Sequence, residues 1–185
     1  MLVAYASSVN IVLPKKATNR VDYAAEYLQK KLLQQGFAVS VTKNGKADKN
    51  SECKVYLSIS KNTASLKKEG FEITTTVKQS KKGAITNISI VGNDGTGCIY
   101  ACNELAEQIK KNGISKLPSS VKDAPEMVLR GGCIGVQKPY LLPGRMVYEY
   151  PYTPELFPWF YDKQHWIEYL DMLVENRMNS VYLWN

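Results

Sequence analysis

Arg130 is the residue that most demands a chemical explanation, because with Gly131 it interrupts the otherwise apolar run Met127–Val136. A guanidinium in such a run must be paired or must face a polar cavity. It is either a donor to a polar ligand or one half of a salt bridge to an acidic residue elsewhere. An aromatic-rich stretch follows: residues 140–184 hold 12 of the chain's 19 Phe, Trp and Tyr, among them Tyr140, Tyr148, Tyr150, Tyr152, Phe157, Trp159, Phe160 and Tyr161. The flat C–H faces of pyranose rings stack on such side chains, and sugar hydroxyls hydrogen-bond to Arg, Asn and Tyr. Taken singly, a large aromatic is more often packing. The concentration is what favours a sugar site.

The remaining reactive side chains point away from other chemistries. Cys53, Cys98, Cys102 and Cys133 form no CxxC pair, and His165 is the single histidine, so no zinc site, metal or cofactor is expected. Cys98 and Cys102 fall one helical turn apart and read as small core-filling thiols. Asp162 reads as a helix N-cap and His165, a turn later, as a surface residue. Gly92-x-x-Gly95-x-Gly97 precedes a helix, but its spacing fits neither a dinucleotide fingerprint nor a P-loop, and a tight strand-to-helix turn is the better account.

The formal net charge is +7, and it is unevenly placed. Residues 1–122 carry 19 Lys plus Arg against 9 Asp plus Glu, whereas residues 123–185 carry 5 against 8. Most of the basic residues are lysines, paired as Lys15-Lys16, Lys30-Lys31, Lys67-Lys68, Lys81-Lys82 and Lys110-Lys111 at element ends and turns. That is surface decoration. A nucleic-acid groove brings Arg forks and aromatics into the same stretch, so no nucleic-acid partner is expected. No run of about 18 apolar residues exists, so no membrane span is expected either. Leu2-Val3-Ala4-Tyr5-Ala6 fits the stub of a signal peptide or an ordinary first strand.

The elements that must position these residues follow from periodicity. Val9–Leu13 is a short strand closed by Pro14. Val21, Ala24, Ala25, Leu28 and Leu32 make one face of a helix near residues 20–35, capped by Thr18 or Asn19 and stopped by Gly36. Four strands follow, Phe37–Thr42, Lys54–Ser60, Phe71–Val77 and Ile85–Val91, the last two joined as an antiparallel hairpin. A second helix carries Ile99, Cys102, Leu105, Ala106 and Ile109 and ends at Gly113. This order predicts an α+β domain over residues 1–122: a mostly antiparallel sheet with two helices on one face, trailing into a linker at Ile114–Ala124. Residues 123–185 then read as a strand Met127–Val136, a helix from Asp162 to about Arg177 and a strand Ser180–Trp184. Strand, helix and strand in that succession imply parallel pairing, the first βαβ of a truncated TIM barrel. Ligands bind at the C-terminal ends of barrel strands, which selects Arg130, Tyr140, Trp159, Trp184 and Asn185 as candidate substrate-binding residues.

Leu129-Arg130-Gly131-Gly132-Cys133-Ile134, Trp166-Ile167-Glu168-Tyr169-Leu170-Asp171 and Glu175-Asn176-Arg177-Met178-Asn179-Ser180-Val181-Tyr182-Leu183-Trp184 resemble the start of the barrel in family 20 β-N-acetylhexosaminidases. Glu69-Gly70-Phe71-Glu72-Ile73 and Ile88–Tyr100 resemble the small α+β domain that precedes that barrel and the barrel of α-glucuronidases. The resemblance implies the N-terminal portion of a retaining glycoside hydrolase whose catalytic carboxylates lie beyond Asn185, with Arg130 on the hydroxyls of the terminal sugar. Its implied partners are an oligosaccharide or polysaccharide substrate and the remainder of its own barrel, and its implied location is exported, periplasmic or extracellular. Two other readings are a non-catalytic carbohydrate-binding or scaffold protein and a basic nucleic-acid-binding α/β module.

Overall fold

The computed structural model describes residues 7–62, 66–80, 83–135, 153–155 and 157–184. The chain divides into two compact units, Met1–Glu126 and Met127–Asn185.

In the first unit six strands form one sheet: β1 (Ser8–Val12), β2 (Ala38–Thr42), β3 (Cys53–Ile59), β4 (Phe71–Ser80), β5 (Gly83–Gly92) and β6 (Ser120–Asp123), in the order β2-β1-β3-β5-β4-β6. Helices α1 (Asn19–Gln34) and α2 (Gly95–Asn112) pack on each other and on the sheet. The α+β class is as expected, but the sheet is mixed rather than mostly antiparallel. β1 runs parallel to β2 and to β3, and β3 parallel to β5, whereas β4 is antiparallel to both β5 and β6. The reason is connection length. Only β4 and β5 are joined by a link short enough for a hairpin, with Ser80 opposite Gly83. β1 reaches β2 through α1, and about ten residues separate β2 from β3 and β3 from β4, enough to cross over a neighbouring strand.

The expected linker is also structured. A 3₁₀ turn at Ile114–Lys116 leads into β6, which lies beside Phe71–Thr74 of β4. Val121 is the one large apolar residue of that strand, so hydrophobic patterning gives it no signature. Its formation satisfies the N–H and C=O groups along the edge of β4.

The helices form where sequence periodicity puts them. α1 buries Val21, Ala24, Ala25, Tyr27, Leu28 and Leu32. It ends in a Schellman motif: Gly36 has φ +87°, its N–H donates to the Leu33 carbonyl, and the Phe37 N–H reaches back to the Leu32 carbonyl at 3.1 Å. α2 buries Cys98, Ile99, Ala101, Cys102, Leu105, Ala106 and Ile109 and packs on β5, β4 and β3, whose buried residues include Ile88, Ile90, Phe71, Ile73, Val55 and Leu57. Fully burying one such aliphatic side chain contributes about 1.5–3 kcal/mol, so this interface dominates the unit's stability.

Among the described residues Asn10 is the one wholly buried side-chain amide, at 0 % exposure. Its Nδ2 donates to Ser40 Oγ at 2.9 Å, and its Oδ1 accepts from Thr42 Oγ1 at 3.2 Å and from the Asp48 N–H at 2.9 Å. It thereby ties β1 to β2 and to the loop beyond β2.

The second unit is smaller. β7 (Gly131–Gly135) and β8 (Ser180–Trp184) pair in parallel, Cys133 opposite Tyr182, and between them lie the short helix α3 (Pro158–Tyr161) and α4 (Lys163–Glu175). β7 begins later than the apolar run suggested: Met127, Val128 and Leu129 precede it at 69 %, 81 % and 75 % exposure. The strand's glycines admit close neighbours. A Cβ on Gly131 would meet Ser180 of β8, and one on Gly132 would lie 2.9 Å from the Tyr169 hydroxyl of α4. Ile167 and Leu170 on α4 and Tyr182 and Leu183 on β8 remain exposed. A two-stranded parallel sheet with one helix leaves apolar surface that parallel sheets ordinarily cover on both faces.

Candidate functional site

In a parallel strand–helix–strand unit the helix runs back along the sheet, so the N-terminus of α4 stands at the C-terminal end of β7, the end at which parallel barrels carry their ligands. There the carboxylate of Asp162 accepts from the Gln164 N–H at 2.8 Å and the His165 N–H at 3.3 Å, the capping role expected of it. An aromatic cluster surrounds this cap. Trp159 lies 5.7 Å from His165, 6.1 Å from Trp166 and 5.8 Å from Phe160, ring centre to ring centre, and Trp166 stands edge-on to Tyr169 at 6.0 Å. The Trp166 indole N–H donates to the Phe160 carbonyl at 2.8 Å, and Phe157 is buried. Trp166 and Phe157 therefore fasten α3 to α4. Trp159, Phe160, Trp166 and Tyr169 are all half-buried and His165 is exposed. Nearby, hydrogen bonds from its own backbone N–H and from the Thr153 side chain lower the pKa of the exposed Glu155 carboxyl, the opposite of what a general acid needs.

Arg130 stands elsewhere. It immediately precedes β7, at the N-terminal end of the strand pair, and not at the ligand-bearing end where the sequence reading put it. Its Nε donates to the Arg177 carbonyl at 2.7 Å and its Nη1 to the Met127 carbonyl at 2.5 Å. The hidden signal was strand position: the apolar run continues upstream of the true strand start, so Arg130 looked interior to it. Tyr140 and Asn185 lie outside the described residues, as do Tyr148, Tyr150 and Tyr152. Trp184 closes β8 opposite Gly135. Trp159 and Trp184 thus belong to elements of one unit, and Arg130 belongs to its other end.

Three cysteines are core thiols. Burial pushes Cys53 up to about 12 and Cys98 up to about 11, and Cys102 is raised by the same cause. Among the described residues no group of three or more His, Cys, Asp or Glu stands close enough to hold a metal ion. No helix among the described residues is long and apolar enough to cross a membrane.

The glycine-rich turn before α2 is a packing device. Asp94 caps the helix by accepting from the Gly97 N–H at 2.8 Å, which puts a carboxylate where a phosphate would sit. A Cβ on Gly92 would lie 2.6 Å from the Cys98 nitrogen, one on Gly95 2.6 Å from the Arg20 Cβ, and one on Gly97 would strike the Gly70 carbonyl.

Comparison with known proteins accounts for this architecture. The chain is similar to a solved GH138 enzyme targeting pectin rhamnogalacturonan II, at 44 % identity and a TM-score of 0.74 over 96 % of this chain. It spans 24 % of that enzyme's length. No curated protein matches the chain. Residues 3–124 match the family model described as glycosyl hydrolase family 20, domain 2. That match takes in more than half of the sequence, and the chain accordingly belongs to the family of glycosyl hydrolase family 20 domain 2 proteins.

Proposed function

We propose that this chain is the N-terminal portion of a glycoside hydrolase that cleaves O-glycosidic bonds in a pectic polysaccharide. The observation that carries the reading is the 44 % identity to an enzyme targeting pectin rhamnogalacturonan II, which extends over nearly the whole chain. Identity at that level reaches beyond shared fold and favours a pectic substrate over the N-acetylhexosaminides and glucuronides suggested by motif resemblance. The first unit is the accessory domain. The second is the opening of a (β/α)8 barrel, a reading supported by the parallel β7–β8 pair and by the apolar residues left exposed on α4 and β8.

In this reading the two carboxylates of glycoside hydrolysis come from later barrel strands, and residues 1–185 position substrate without cleaving it. Trp159 is the described side chain proposed to line the sugar end, and Tyr140, Trp184 and Asn185 are proposed beside it from their places in the sequence. The protein works outside the cytoplasm, where such polymers are met, and needs no metal or cofactor.

The test is to express the protein together with its downstream sequence and incubate it with rhamnogalacturonan II and, separately, with a chromogenic β-N-acetylhexosaminide. Release of a monosaccharide from the pectic polymer is expected. Turnover of the hexosaminide with no release from the polymer would replace the pectic reading, and release by the 185-residue chain alone would sink the assignment of the carboxylates to later strands.

A further inference from the structure

The start of the β7–β8 pair is held by a knot of polar contacts that the sugar end does not require. The Arg130 N–H donates to Asn179 Oδ1 at 3.0 Å, and the Asn179 N–H returns a bond to the Arg130 carbonyl at 2.8 Å. That carbonyl also accepts from the Ser180 N–H and the Ser180 hydroxyl, both at 3.0 Å. Asn179 Nδ2 donates to the Val128 carbonyl at 2.9 Å, and the Arg130 guanidinium spans the Arg177 and Met127 carbonyls. Each side chain is chosen for its shape. Two separate nitrogens on a rigid fork reach two carbonyls, a geometry that a Lys ammonium, with all its donors on one nitrogen of a flexible stem, matches poorly. The Asn179 amide accepts and donates at once, which a carboxylate cannot do.

The strands themselves carry little to fix their alignment. Gly131, Gly132 and Gly135 make up three of the five residues of β7. A glycine-rich strand specifies its register weakly, and a slip of two residues preserves the alternation of faces. Such a slip moves one strand end past the other by about 7 Å.

We infer that the Arg130–Asn179 clasp is the register lock of the β7–β8 pair, and that Arg130 acts as a positioning residue for the opposite end of these strands, about 16 Å away at the usual rise per residue. By fixing the register it sets Gly135 level with Trp184 at that end. The lock stands on the structure alone; its bearing on sugar binding rests on the function proposed above, because a displacement of several ångströms disorders any constellation of substrate contacts.

Register is read directly by cross-linking in the 185-residue chain. Cys133 stands opposite Tyr182, and neighbouring strands lie about 4.8 Å apart, within the Cα range of a disulfide. Under mild oxidation Tyr182→Cys is expected to cross-link to Cys133 in high yield and Trp184→Cys weakly, with the linked peptides assigned by mass spectrometry. Adding Arg130→Lys or Asn179→Asp should lower the yield at position 182 at least threefold and raise it at position 184. Unchanged yields in both backgrounds would overturn the lock. So would loss of both cross-links, which would make the clasp a plain stability element.

In the longer protein Arg130→Lys should raise KM for rhamnogalacturonan II at least fivefold with a smaller change in kcat. An unaltered KM beside a shifted cross-link would overturn the positioning role alone. If the unsubstituted longer protein releases nothing from the polymer, the enzyme reading fails, and the cross-links still decide the lock.

Discussion

Asp94 and Glu69, 25 positions apart, are joined by a 3.0 Å hydrogen bond from the Glu69 N–H to the Asp94 carboxylate, whose other oxygen caps α2 through the Gly97 N–H. One side chain thus anchors both the second helix and the turn that feeds β4. Glu69 sits at φ +59°, a left-handed conformation disfavoured for a side-chain-bearing residue, and the bond from Asp94 helps hold it there. Asp94→Ala is expected to lower stability by about 1–2 kcal/mol, the usual cost of a lost N-cap. Gly97→Ala should cost about 1–3 kcal/mol by overpacking, since its methyl would strike the Gly70 carbonyl. Urea denaturation followed by circular dichroism measures both.

Asn10→Ala removes the partner of the Asp48 N–H and of the Ser40 and Thr42 hydroxyls in a site closed to solvent. A loss of about 1–3 kcal/mol is expected, the cost of stranding buried polar groups. The same urea titration reads it, and a change under 0.5 kcal/mol would be about the size of a surface substitution.

The thiols divide sharply by accessibility. Cys53, Cys98 and Cys102 are buried and Cys133 is exposed, so Ellman's reagent should titrate one thiol in the native chain and four in denaturant. Burial raises the folded pKa of Cys53 from 9.0 to about 12 and of Cys98 from 9.0 to about 11. Above pH 9 the unfolded chain gives up these protons while the folded one keeps them, so the stability of the first unit should be level below pH 9. It should then fall between pH 9 and pH 12. Thermal melts across that range check the sign, and Cys53→Ser in parallel shows how much of the slope is one thiol's.

Trp166→Phe keeps the ring and deletes the indole N–H that donates to the Phe160 carbonyl. About 1 kcal/mol of stability should be lost from the packing of α3 on α4. Trp159→Phe, which keeps a ring among His165, Trp166 and Phe160, should instead act on ligand binding in the longer protein, raising KM on the pectic polymer while the melting temperature moves little.

Local periodicity and capping made α1, α2, α4 and the β4–β5 hairpin legible in the sequence, and the Asp162 cap with them. The neighbours of each strand were not legible. Nothing in the residues of β1 says that β2 and β3 flank it in parallel; that follows from crossovers, which a one-dimensional pattern does not record. β6 was hidden because a strand built on a partner's open edge needs no hydrophobic signature of its own. Arg130 stands out in the sequence as a charge amid apolar residues, but β7 starts four residues into that run, which puts Arg130 at the opposite end of the strand.

The returning strand β6 has a practical corollary for anyone who moves the first unit between proteins. A cut at Gly113, where the second helix stops, would strip the covering from Phe71–Thr74 and expose a ready template for another chain's backbone, an invitation to aggregate. A transplant that carries Ser120–Asp123 brings its own seal, so the portable module has to run on from Asn112, where the second helix ends, to Asp123.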